Sequence, residues 1–148
     1  MGGVQGRWLA VLMVVWAIAA ACSTPAAAAP TEPAVTVEEI EGSELERLTL
    51  SESAAKRLGV ETSPVRSASE SGVGRTVVPY SAVVYDAAGT PWAYENIEGL
   101  TFVRHALTVE SIIDGEAFLS EGPAVDASVV TLGAAELYGV EKGVGGGH

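Results

Sequence analysis

After Gly59 the apolar residues recur at every second position, in short runs that glycine, proline or aspartate closes off. A period of two is that of a strand with one face buried. Ser81 to Tyr85, Trp92 to Tyr94, Leu100 to Val109, Ala117 to Leu119 and Ser128 to Leu132 carry it, and they are rich in valine, leucine and aromatic residues. Parallel neighbours need a crossover of about a dozen residues or more, and these runs lie too close together for that. The expected fold is therefore mainly β: a small antiparallel barrel or sandwich of about six to eight short strands.

Punctuation between the runs adds detail. Asp86–Ala87–Ala88–Gly89 is a turn, so Ser81 to Tyr85 and Trp92 to Tyr94 form a hairpin. Asp114–Gly115 is a second turn, after Leu100 to Val109, the longest strand-like segment. Residues 67–74 (SASESGVG) read as a polar loop, and Val35 with Val37 as a first strand. The acidic stretch from Glu38 to Glu46 contains Gly42 and reads as a turn or an exposed lead-in. One short helix stands out: Ser51 has the oxygen of an N-cap, Lys56 and Arg57 lie in the last turn, and Gly59 ends it. Gly133 to Tyr138 is read as a last helical turn.

The first 40 or so positions are of another kind. Arg7 precedes an uncharged apolar run from Trp8 to Ile18, then Ala19, Ala20 and Ala21, then Cys22. Positive, apolar and small residues in that order make a secretory signal peptide, so residues 1–21 are expected to form a signal helix that directs export. Cys22 is the only cysteine, which excludes an internal disulfide. Small residues before it and a polar Ser-Thr-Pro tether after it point to lipidation of Cys22, a palmitate-type modification that would hold the protein at the outer face of the cell membrane. Cleavage by an ordinary signal peptidase is the other outcome. Residues 22–34 are then a lipidated cysteine and flexible linker, 35–142 a β domain, and 143–148 a disordered glycine-rich tail.

Charge excludes whole classes of partner. The chain carries −11, and Arg7 is the only charged residue before Cys22, so removing that one positive charge leaves −12. Nucleic acid binding requires clustered lysine and arginine, which this chain lacks.

Within the β region the order of segments resembles that of a known family. Pro79, Ser81, Ala82 and Val83 open a strand; Gly89 turns; Trp92 to Tyr94 is an aromatic strand. Val103, Arg104, Leu107 and Val109 form the next strand, followed by Gly122, Val129, Val130, Gly133 and Ala134, with Pro123 and Asp126 where the family has leucine and glycine. LTLSESAAKRLGVETSPV precedes them. From Leu48 to Leu137 the chain resembles the C-terminal β domains of membrane fusion proteins, the periplasmic adaptor subunits of efflux pumps of the hemolysin-secretion-adaptor type. The resemblance implies a membrane-proximal β domain that packs beside an inner-membrane pump. No segment has sustained heptads, so the coiled-coil hairpin of a full adaptor is missing.

Few side chains invite chemistry. No nucleophile elbow, phosphate-binding loop or zinc helix is present, so no catalytic residues and no cofactor are expected. Ser81 reads as part of a strand. His105 has only His148 as a fellow ligand, and Glu38, Glu39, Glu41, Glu44 and Glu46 lack the spacing of a calcium loop, so no metal site is expected. Trp92 and Tyr94 flank a turn and are the candidate partner-binding residues. The functional expectation is a non-enzymatic, lipid-anchored accessory protein that binds a membrane transport component. The alternative is a surface lipoprotein that binds a small molecule or metal ion, unrelated to efflux.

Overall fold

The computed structural model describes residues 33–143. The signal segment, Cys22, the linker up to position 32 and the tail from 144 lie outside the described residues.

The described residues begin with a hairpin of β1 (Val35–Glu39) and β2 (Glu46–Leu50), in which Val35 faces Leu50 and Glu39 faces Glu46. The acidic stretch supplies its turn, with Gly42 at φ +79°. α1 (Glu52–Leu58) follows, and its ends are set by local chemistry. The Ser51 side chain accepts the Ala54 N–H at 3.2 Å, and Gly59 adopts the left-handed conformation while its N–H reaches back to Ala55 and Lys56. Ser51→Ala is expected to cost about 1 kcal/mol. A drop of about 4 °C or more in melting temperature would show it.

The remaining elements are β3 (Glu61–Pro64), β4 (Arg66–Glu70), β5 (Val73–Pro79), a 3₁₀ turn (Tyr80–Ala82), β6 (Val84–Tyr85), β7 (Pro91–Glu98), β8 (Thr101–Ala106), β9 (Thr108–Ile113), β10 (Glu116–Glu121), β11 (Ser128–Leu132) and α2 (Ala134–Glu141). All pairings are antiparallel. One sheet has the order β1-β2-β8-β7-β11-β3, with β6 added beside the start of β7; the other has the order β4-β5-β10-β9. The fold is thus a mainly β, antiparallel sandwich with two helices, the class expected.

Two cores hold it. Leu48, Tyr94, Phe102 and Val130 of the larger sheet pack against Ala54 and Ala55 of α1 and Ala134 and Leu137 of α2. On the other face Ala93 and Val129 meet Val78, Ala117 and Leu119 of the smaller sheet. The chain passes between sheets at Val65, Ala82 and Leu107, and all three lie buried in this second core. An apolar side chain at each crossing fills the space that the bend opens between the layers.

Several expectations are corrected. Residues 67–74 are not a loop but most of a hairpin, β4 to β5, turned by Ser71 (φ +49°) and Gly72 (φ +83°). Two positive φ values give the turn whose twist matches the strands. The hairpin was hidden because neither face of β4 is apolar; its residues pair with β5 along their whole length, and Arg66 and Arg75 add surface ion pairs to Glu116 and Glu70. Leu100 to Val109 is two strands in different sheets, broken at Leu107. Ser81 lies in the 3₁₀ turn, not in a strand. There are eleven strands among the described residues, not six to eight, and α2 is a second helix of eight residues where one turn was expected. No helix among the described residues is long and apolar enough to cross a membrane.

Candidate functional site

β7 and β8 pair with Trp92 opposite Ala106 and Tyr94 opposite Arg104. Alternation therefore puts Trp92, Tyr94, Phe102 and Arg104 on one face, the face that α2 covers. Where α2 ends, the covering ends too, and an open cleft of about 800 Å³ begins. Its base is formed by Trp92, Arg104, Tyr138 and Lys142. Its rims are the β1–β2 turn at Ser43 to Leu45 and the β6–β7 turn at Asp86 to Ala88.

Arg104 is the centre of this base. It is only 6% exposed, and its guanidinium carbon stands 4.0 Å from the Trp92 ring centre and 5.9 Å from that of Tyr138. A guanidinium stacked on indole is attracted by the ring quadrupole. Its charge is met by Glu141, the last residue of α2, at 3.0 Å. The Glu141 side chain is fully buried and filled with donors: Arg104 and Lys142 (3.1 Å) reach Oε1, and the Tyr94 hydroxyl donates to Oε2. Burial, and then the hydrogen bond to Glu141, hold the Tyr94 phenol far above its ordinary pKa.

Asp86 sets the opposite wall. Its Oδ1 accepts the backbone N–H groups of Ala88 and Thr90, each at 2.9 Å, and its Oδ2 accepts the Trp92 indole N–H at 3.1 Å. The Thr90 amide first, then the indole, keep its carboxyl below the usual carboxylate range. A depressed folded pKa contributes stability above the unfolded value of about 3.9 that is lost as pH falls through the folded pKa. Trp92 fluorescence is accordingly expected to stay native at pH 4 and to change only below it. In Asp86→Ala the acid step should vanish and the indole should be loosened at every pH.

The sequence-predicted residues part company here. Trp92 lines the cleft. Tyr94 does not: it is 0% exposed and packs in the first core, so it has no surface to offer a partner. Its place two residues after Trp92 on the same strand face carries it under α2. His105 is on the alternate face of β8, borders the cleft and pairs with Glu95 at 3.0 Å. Among the described residues no group of three or more His, Cys, Asp or Glu side chains lies close enough to hold a metal ion. Arg104, Tyr138, Glu141 and Lys142 were not singled out as site residues. The signal available for Arg104 was its position in an apolar strand on the face of Phe102, where a charge requires a buried partner. No known protein family, curated protein or solved structure is matched by the chain.

Proposed function

We propose that the protein is an exported, lipid-anchored accessory module that binds a component of a membrane transport assembly through the Trp92–Arg104 cleft. The observation that carries this reading is the cleft itself. Its aromatic and charged side chains are fixed by hydrogen bonds from their own fold, and its mouth is open. Rigid aromatic and arginine side chains are the usual anchors of binding sites, because little entropy is lost on contact. The hydrogen bonds within the cleft all serve to hold side chains in place, which supports binding rather than catalysis. The order of segments from Leu48 to Leu137, similar to that of efflux-pump adaptors, supports a transport partner, and Cys22 supports an anchor at the membrane.

The test is site-directed photo-crosslinking in intact membranes. A crosslinker at Ala87 or Ala88, both exposed on the cleft rim, is expected to capture an inner-membrane permease or ATPase subunit. One at Lys56, exposed on α1, is not. Absence of any transport subunit, or equal capture from Lys56, would overturn the reading. Palmitate labelling should vanish in Cys22→Ser; unchanged labelling removes the anchor.

A further inference from the structure

We propose that α2 is a gate: it unseats as a unit while the sandwich stays folded, and the cleft exists only while it is seated. This rests on the cleft as the docking site and assigns the regulation of that site. The first ground is how little holds the helix down. Of its eight residues only Ala134, Leu137 and Glu141 are buried, so one large apolar side chain and one ion pair seat it. Space opens on both of its sides. The cleft of about 800 Å³ begins at Tyr138 and Lys142, and a groove of about 420 Å³ runs between the two helices, bordered by Ala54, Leu58, Gly139 and Val140. A segment with few buried apolar contacts opens at a lower free energy than the whole fold.

The local sequence of α2 also works against the helix. Gly133 precedes it and has no side-chain oxygen for the free N–H groups. Gly139 weakens the interior, Val140 is β-branched, and Glu141 lies at the end where the helix dipole favours cations. α1, by contrast, has Ser51 as its cap and Lys56 and Arg57 in its last turn. α2 is therefore helical because it is seated. Gly133, at φ +87°, joins it to β11 in a conformation that glycine takes without strain, and serves as the hinge. Unseating has a definite consequence for the site. Tyr138 and Lys142 leave the cleft base with the helix, and Glu141 leaves Arg104. The fraction of molecules with α2 seated then scales the affinity of docking. Arg104 carries a built-in reporter of this motion. Its Nε–H is closed to solvent and has no hydrogen-bond partner among the described residues, so its proton exchanges with water only when the helix moves away.

Hydrogen exchange followed by NMR on the mature, anchored chain in detergent is the test. The Leu137 amide, bonded to the Gly133 carbonyl at 3.0 Å, and the Arg104 Nε–H are expected to share one opening constant. It should be at least about tenfold larger than that of the Phe102 amide in the central strand β8. Gly139→Ala should lower it about fivefold, since a Cβ there meets nothing within 4 Å and only helix propensity changes. Ala135→Gly, at an exposed position, should raise it about threefold. Exchange in α1 and β8 should respond to neither. If Leu137 and Phe102 share an opening constant, α2 opens only with the whole fold and the proposal is overturned. It is overturned equally if α1 follows α2, because the helices then open together. If the Arg104 Nε–H does not follow Leu137, the helix moves without dismantling the site, and the gate falls. Crosslinking from Ala87 separates the two readings. Capture of a transport subunit without gating leaves docking in place, and gating without capture removes docking while α2 still opens.

Discussion

Glu141→Gln is expected to lower the melting temperature by about 12 °C or more, a loss of about 3 kcal/mol. The reason lies in what the change leaves behind. Arg104 remains 6% exposed with its charge unmatched, and breaking one side of a buried ion pair costs about 3–5 kcal/mol. The amide keeps one acceptor for the Tyr94 hydroxyl, which places the effect at the low end of that range. Removing the whole network should behave differently. With Tyr94→Phe, Arg104→Met and Glu141→Leu together, no charge or hydroxyl is left buried without a partner. Replacing such a network by apolar groups of similar volume is often neutral or stabilising. The triple variant is expected to melt within a few degrees of the parent protein. A triple variant as unstable as Glu141→Gln would show that packing, not charge burial, governs this corner. Tyr94 adds a limit on the basic side. Its folded pKa is raised, so its contribution is complete below the unfolded value of about 10 and is lost as pH rises above it. Melting temperature should therefore fall above about pH 10, and the fall should shrink in Tyr94→Phe.

How much of this was legible in the sequence follows from how local each signal is. The ends of α1 were readable because Ser51 and Gly59 act within one turn of themselves. The turn at Asp86–Gly89 was readable for the same reason, since Asp86 bonds to amides two and four residues on. The class of the fold followed from strand spacing. The β4–β5 hairpin was not read, because neither face of β4 is apolar and what holds it is backbone pairing along its whole length with β5. The site was least legible of all. Trp92 could be named as a surface aromatic, but Arg104 and Glu141 meet across 37 positions of chain (104 to 141). An acidic residue at the end of a helix also runs against the helix dipole, so no local rule places Glu141 there. It sits there because Arg104 does, and that dependence is tertiary.

α2 is the element that ties stability to the site, and Leu137→Ala is the change that tests it. Leu137 is 0% exposed and packs into the first core with Leu48, Phe102 and Val130. Truncating a buried leucine to alanine costs about 2–5 kcal/mol. The distinctive expectation concerns geometry rather than magnitude. Tyr138 and Glu141 lie within about one turn of Leu137 on the same helix and Lys142 caps it, so a loosened α2 carries away two groups of the cleft base and the carboxylate that pairs with Arg104. Leu119→Ala provides the contrast. Leu119 is equally buried but lies in the core between the sheets, away from α2. Both variants should lose comparable stability. Only Leu137→Ala should shift Trp92 fluorescence in the folded state and speed amide exchange through α2. If Leu119→Ala does the same, the cleft depends on the rigidity of the whole sandwich and not on the seating of its last helix. If neither does, the stacking of Arg104 on Trp92 holds the cleft without help from α2, and Glu141 is then an anchor for the helix rather than for the site.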